Sequence, residues 1–319
     1  MNYNINSGYG RLMADSLRGG FTGKVFLVGK SALAHRDRYN DILGVDTDGV
    51  PRFHATIAGA LTRCTASSGD TIFVLPGHTE AFSSATAATW NVAGVNIVGL
   101  GSGTMRPTLT LDTGATSTIN ITAENIKVKN IIVVANFADI ASAFTLTTAA
   151  GFTLEDVEVR DTSSILNFLN VIDTDTTSNN ADDITMLRVR RLGDGATTAT
   201  HIIKMDGTNK RLRVKDCYFA HASVDNGALF MVIATGKVVT DMEVSGCIMN
   251  FVGVSSATAG VLITTNGSTN SGFIASTYVK HLDATTEIMV TASSGFIFMD
   301  LKASAVADKQ GYLVPGADA

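Results

Sequence analysis

The chain is predicted to be an all-β protein, a parallel β-solenoid of about eight coils, and two features of its 319 residues carry that expectation. The first is an eight-residue pattern, apolar at its first, third and sixth places. It recurs eight times between Val95 and Ala303, as VNIVGLGS, IKVKNIIV, FTLEDVEV, ITMLRVRR, LRVKDCYF, MEVSGCIM, FIASTYVK and FIFMDLKA. The starts, at Val95, Ile126, Phe152, Ile184, Leu212, Met242, Phe273 and Phe296, lie 23 to 32 residues apart, and recurrence at such a period marks a repeat architecture. The second is proline. Pro51, Pro76, Pro107 and Pro315 are the only four, so residues 108–314 have none, as strands bonded to neighbours on both sides require. A β-sandwich would show tight hairpin signals and no long period.

Within each octet, places 1 and 3 share one face of a strand, and place 6 restarts that face after a corner. Place 5 holds Gly99, Asn130, Asp156, Arg188, Asp216, Gly246, Thr277 and Asp300, mostly residue types that tolerate left-handed backbone angles. A third apolar run precedes most octets: Phe144–Leu146, Leu169–Val171, Ile203–Met205, Leu229–Ile233, Val261–Ile263 and Ile288–Val290. Three strands per coil, with coils stacking about 4.8 Å apart, complete the solenoid. Asp156, Arg188 and Asp216 then fall one above another as an outward salt ladder that helps hold coil register.

The chain divides into an irregular N-terminal arm (1–52), a capping helix (53–66), the solenoid (67–303) and a short tail (304–319). The arm is Gly-rich, with one strand-like run at Lys24–Val28. Its first 38 residues carry Arg11, Arg18, Lys24, Lys30, Arg36 and Arg38 against Asp15 and Asp37, a net of +4 that leaves −9 on the remainder. A basic arm on an acidic body suggests docking to an acidic surface through those six residues. Phe53, Ile57, Leu61 and Cys64 recur at helical spacing, and a solenoid's first coil needs such a cover.

Composition excludes several classes. Charged residues make up 17% of the chain and mean hydropathy is positive, yet no apolar run reaches 18 residues, so no membrane span is expected. The start, MNYNINSGYGRL, has neither the basic nor the apolar region of a secretory signal, which points to folding in a cytoplasm. Cys217 and Cys247 both occupy place 6 of consecutive coils, so they should stack in the core with parallel side chains, a poor arrangement for a disulfide. The six histidines show no metal-ligand spacing, and GKVFLVGKS at 23–31 has one residue too many for a phosphate loop. A net charge of −5 and no basic stripe disfavour nucleic acid. No cofactor is expected.

The run FHATIAGALTRCTASSGDTIFVLPGHTE at 53–80, with AGVNIVGLGSGTMRPTLTL at 93–111, resembles the start of pectin-lyase-like right-handed parallel β-helices, and more closely a group of tailed-phage β-helix virion proteins. The resemblance implies a right-handed coil, an N-terminal covering helix, a structural role for His78 and association as trimers. It also raises an enzyme alternative, because pectin-lyase-like folds include polysaccharide lyases and glycoside hydrolases, whose chemistry needs clustered carboxylates. The best cluster is Asp173, Asp175, Asp182 and Asp183, leading to Arg188, Arg190 and Arg191 in a Thr/Asn-rich stretch that also reads as a solvated loop.

Several strands carry apolar residues between the inward places. FLNVI at 168–172 and LFMVI at 229–233 are apolar on both faces, and Ile132, Phe168, Ile172, Ile202, Phe230, Val232, Ile248 and Ile274 are expected to form an outward oligomer interface. The resulting expectation is a trimeric, non-enzymatic capsid decoration (cement) protein on the virion surface, bound to the phage major capsid protein through the arm. The alternative is a tail fibre or tailspike component that binds or depolymerises a surface glycan.

Overall fold

The computed structural model describes residues 23–30, 49–82, 88–193, 201–222, 228–252, 261–265, 269–280, 295–304 and 310–312. They form a right-handed parallel β-helix with three long sheets. Sheet A has 11 strands, sheet B has 10 and sheet C has seven among the described residues. One coil shows the plan: Lys127–Lys129 lies in sheet A, Ile132–Ala135 in sheet B and Phe144–Leu146 in sheet C. At the far end Lys302–Ser304 pairs antiparallel with Gln310–Tyr312, which occupies the outermost position of sheet B.

The place-5 corner has the expected backbone. Asn130, Asp156, Arg188, Asp216, Gly246 and Asp300 all have φ between 47° and 65°. Arg188 is the unusual member, since arginine has no intrinsic preference for this region. Its guanidinium is held by two bonds to Asp156, at 2.6 and 3.0 Å, and one to Glu155 at 2.8 Å. A second left-handed corner stands at the residue before place 1, where Gly94, Asn125, Gly151, Asp183, Arg211 and Asp241 all have positive φ. There Arg211 repeats the device on Asp183 one coil below.

The seventh octet starts one residue earlier than expected. Met242 pairs with Gly272, so Ser276 (φ 47°), not Thr277, turns the corner. Gly272 sits at φ 133°, and a Cβ there would lie 2.2 Å from the Met242 carbonyl oxygen and 2.5 Å from its nitrogen. Gly272→Ala is therefore expected to destabilise the protein by about 2 kcal/mol or more, read from the urea midpoint.

The N-terminal cover is shorter than expected. Phe53–His54 is a strand, and helix α1 is only Ile57–Leu61, capped by Thr56, whose side chain accepts the Gly59 N–H at 3.0 Å. Glu80 accepts the Ile57 N–H at 3.0 Å, and buried His78 sits 3.2 Å from the same oxygen. The structural role that the resemblance implied for His78 is met there. Val25–Val28, expected within the arm, pairs in parallel with Thr71–Val74 and Phe53–His54 and so belongs to sheet A. Lys24 precedes it, with its N–H on Asp70 at 2.6 Å, and Lys30 follows it, exposed. Arg11, Arg18, Arg36 and Arg38 lie outside the described residues.

The core is a set of stacked ladders, such as Ile97, Val128, Leu154, Met186, Val214 and Val244 on sheet A. Cys217 and Cys247 lie one above the other in it as free thiols, and the hydrogen bond with Cys247, together with burial, pushes the Cys217 thiol up. Burial also pushes Cys64 up to about 12. One inward position of sheet B departs from apolar composition. Between Val159 and Phe219 stands Arg191, 1% exposed, with both terminal nitrogens 2.7 Å from the Asp161 carboxylate. It also donates to the Phe168 carbonyl at 3.1 Å and lies 5.8 Å from the centre of the Phe168 ring.

The expected outward apolar surface is corrected. Phe168, Ile172, Ile202, Phe230 and Ile274 are fully buried in the core. Ile274 moves inward with the octet frame. Phe230 and Met231 both reach the core because the strand is irregular between Ala228 and Met231, which breaks simple alternation. Val171–Ile172 and Ile202–Ile203 likewise stand side by side inside as the chain rounds into sheet C. Ile132 does lie on the outer column of sheet B, but it is buried where Arg106 reaches across to the Ile131 carbonyl and Glu158. Val232 is half-buried, and Ile248, at 46%, is the exposed member.

Candidate functional site on the outer face of sheet C

The acidic cluster suggested by the sequence is dispersed. Asp175 caps a turn through the Thr177 N–H and Asn180, Asp182 accepts from the Lys210 N–H, and Asp183 pairs with Arg211. Arg188 is committed to Asp156 and Glu155, Arg190 lies on Glu158, and Arg191 is internal. The physical reason is the coil geometry. Residues ten positions apart in sequence face different sheets, whereas residues one coil apart meet.

Asp173 alone of that set gains a chemically distinct setting. It lies on the outward column Asn120, Thr145, Asp173, Lys204, Val232 of sheet C. Lys204, one coil on, brings its ammonium 3.6 Å from Asp173 and 2.5 Å from Asp206. Both carboxylates touch one nitrogen, so the two contacting oxygens are at most about 6 Å apart, near enough for two acids to act on one glycosidic bond. Burial, opposed by Lys204 and reinforced by the Asp206 charge, raises Asp173 to about 6. Lys204 is itself raised, because the Asp206 hydrogen bond and the Asp173 charge outweigh its burial. One Asp173 oxygen is buried without a hydrogen-bond partner. Lys204 and Asp206 were missed in the sequence. The available signal was register, since Lys204 is the residue one coil above Asp173.

Towards the N-terminal end the same face is polar. Thr118, Ser142 and Thr145 form a triangle of hydroxyls at 2.8–3.2 Å, and Thr147 bonds Asn120 at 3.1 Å. Ser142 is fully buried, and the half-buried Thr118, Asn120, Thr145 and Thr147 are the groups that can exchange hydrogen bonds with sugar hydroxyls. Among the described residues no group of three or more histidine, cysteine or acidic side chains could hold a metal ion, and no helix is long and apolar enough to cross a membrane. Trp90, the single tryptophan, is buried in the core against Phe144 and lines no groove.

The outer face of sheet A is an ion-pair lattice. Glu155 takes Lys127 at 2.5 Å, Lys129 at 2.7 Å and Arg188 at 2.8 Å. Burial opposes its ionisation, but the lysine hydrogen bonds prevail and hold Glu155 down to about 2. A depressed carboxylate contributes stability that is full above its ordinary value of 4.5 and lost as pH falls towards 2. Replacing Lys127 and Lys129 together by alanine is expected to remove about 1 kcal/mol at pH 7, after solvent screening, and to flatten the acid limb of the urea stability profile.

The architecture is a right-handed parallel β-helix with three long sheets. No family model matches the chain and no curated protein matches its sequence. Among solved structures, the deglycosylated pectin methylesterase from Aspergillus niger is similar at 13% identity and a TM-score of 0.50, covering 92% of each chain. A mutant pectin methylesterase in complex with a hexasaccharide is similar at 12% identity and a TM-score of 0.52, covering 90% of each chain.

The expectation of a non-enzymatic capsid decoration protein is thereby corrected. The two similar solved structures, alike along nine tenths of their length, are pectin methylesterases. The apolar residues expected to form the oligomer interface are, for the most part, core.

Proposed function

We propose that this β-helix binds polysaccharide along the outer face of sheet C and hydrolyses it with an acid pair, Asp173 and Asp206. The observation that carries this reading is the Asp173–Lys204–Asp206 constellation, two carboxyl groups of different environment sharing one ammonium. Asp173, raised to about 6, is protonated over the mildly acidic range and serves as proton donor to the leaving oxygen. Asp206, hydrogen-bonded to Lys204, is the carboxylate partner, and Lys204 positions both. The adjacent hydroxyl and amide row receives the sugar chain. The similar solved structures support a carbohydrate ligand, since one of them is a hexasaccharide complex.

The test is incubation of the full chain with a panel of neutral and acidic polysaccharides, reading new reducing ends and released ester alcohol separately. Reducing ends that disappear in Asp173→Asn are the expected result. Alcohol release alone would reassign the bond that is cut, and no product from any member would overturn the hydrolytic reading.

A further inference from the structure

A second site lies on sheet B, on a different face from Asp173. Glu158 is buried, its side chain 3% exposed, yet three guanidiniums surround it: Arg106 at 3.3 Å, Arg190 at 3.5 Å, and Arg160 through its Nε. One carboxylate cannot neutralise three cations, so the cluster keeps about two positive charges on a chain whose net charge is −5. The three arginines are not equivalent. Arg106 is largely buried, donates to the Ile131 carbonyl as well as to Glu158, and has its pKa lowered mainly by burial. Arg160 and Arg190 are about half exposed, at 47% and 55%, and present their remaining N–H groups to solvent.

The surroundings define what such an excess would hold. Glu158, Arg190 and Tyr218 follow one another on a single outward column, and the Arg190 guanidinium lies 5.9 Å from the centre of the Tyr218 ring. In the adjacent outward column Arg160 is followed by Leu192, Ala220 and Asn250. The small Ala220 leaves the floor beside Tyr218 low. Asn250 has a buried amide oxygen without a hydrogen-bond partner, an acceptor waiting for a donor. With coils about 4.8 Å apart, Arg160 and Asn250 are separated by roughly 14 Å, the span of a few sugar rings.

We infer that this strip of sheet B binds an anionic oligosaccharide, with a sugar carboxylate on Arg160 and Arg190, a ring against Tyr218 and a hydroxyl donating to Asn250. Planar guanidiniums match a carboxylate bidentately, and an aromatic ring offers an apolar face to a pyranose. A long polyanion such as duplex DNA is disfavoured, because beyond the patch it would run against the acidic body of the chain. The inference goes beyond the hydrolytic reading and does not depend on Asp173.

The experiment is titration calorimetry of the full chain with an oligoglucuronate, the matching neutral oligoglucoside, a short DNA duplex and inorganic sulfate. The oligoglucuronate is expected to bind at least about tenfold more tightly than the other three, and to weaken as salt is raised. Arg160→Gln with Arg190→Gln is expected to lose at least about tenfold in affinity for the oligoglucuronate, with circular dichroism unchanged because Arg106 still pairs Glu158. The double variant is expected to release reducing ends from neutral polysaccharide as the unaltered protein does, which separates failure of this site from failure of the hydrolytic one. Equal affinity for the neutral sugar, preference for DNA, or unchanged binding by the double variant would each overturn the inference. Sulfate binding as tightly as the oligoglucuronate would do so too, by reducing the site to a simple anion hole.

Discussion

Arg191→Ala is expected to destabilise the protein by about 3–5 kcal/mol, the largest single-site effect on folding that the structure implies. The guanidinium makes two 2.7 Å bonds to Asp161 and one to the Phe168 carbonyl, in a position where the coils on either side place Val159 and Phe219. Removing it takes both charged donors from the buried Asp161 carboxylate, and a neutral donor such as the Phe168 N–H, at 2.9 Å, does not replace a guanidinium. The companion variant discriminates charge loss from volume loss. Arg191→Met with Asp161→Leu removes both charges and keeps most of the packing, so it should recover most of the loss or exceed the original stability. Urea unfolding of the two variants measures the difference. Equal destabilisation in both would mean that shape, not charge, dominates.

Asp173→Asn is expected to lower polysaccharide hydrolysis by about 10²–10⁴-fold, the usual contribution of a positioned general acid. The pH dependence follows from its raised value. A proton donor that titrates near 6 is competent below that pH, so activity should fall as pH rises through about 6. Stability moves in the same direction. The fold favours the protonated carboxyl, so this group's contribution is full below its ordinary value of 3.8 and is lost as pH rises to about 6. Above that pH the asparagine variant should be the more stable by about 1–2 kcal/mol, even while inactive. Activity and urea profiles taken across pH 4–8 test both signs, and an activity limb that does not move when Asp173 is replaced would assign the proton to another group.

These two residues also mark where local sequence reasoning stops. The octet names only places 1, 3 and 6 as inward; alternation from place 6 brings place 8 inward as well, and with it Val159, Phe219 and Arg191, the last a residue that no apolar pattern singles out. Its partner Asp161 closes the preceding coil, 30 residues earlier, and nothing local links the two. The apolar doublets at 171–172 and 202–203 misled for the opposite reason. Strict alternation assigns one member of each to solvent, but at a corner both can turn inward.

Asp173 was visible as one of four acids in a polar stretch, and the sequence could not separate it from Asp175, Asp182 and Asp183. Those three bond turns and corners within reach, whereas Asp173 meets Lys204 because the two strands pair in register. The arginines around Glu158 come from three coils, at positions 106, 160 and 190, and are equally scattered in sequence.

The amino-acid sequence alone determined the solenoid, its period, its left-handed place-5 corner and the presence of an N-terminal cover. These follow from short-range rules, strand alternation, turn chemistry and the exclusion of proline, which repeat identically in every coil. The tertiary structure alone decided which acid has a cation beside it, which arginine is buried and which outward columns carry charge. Those depend on the register between coils of unequal length. A one-residue slip, such as the one at Gly272, moves every side chain of a strand to the other face.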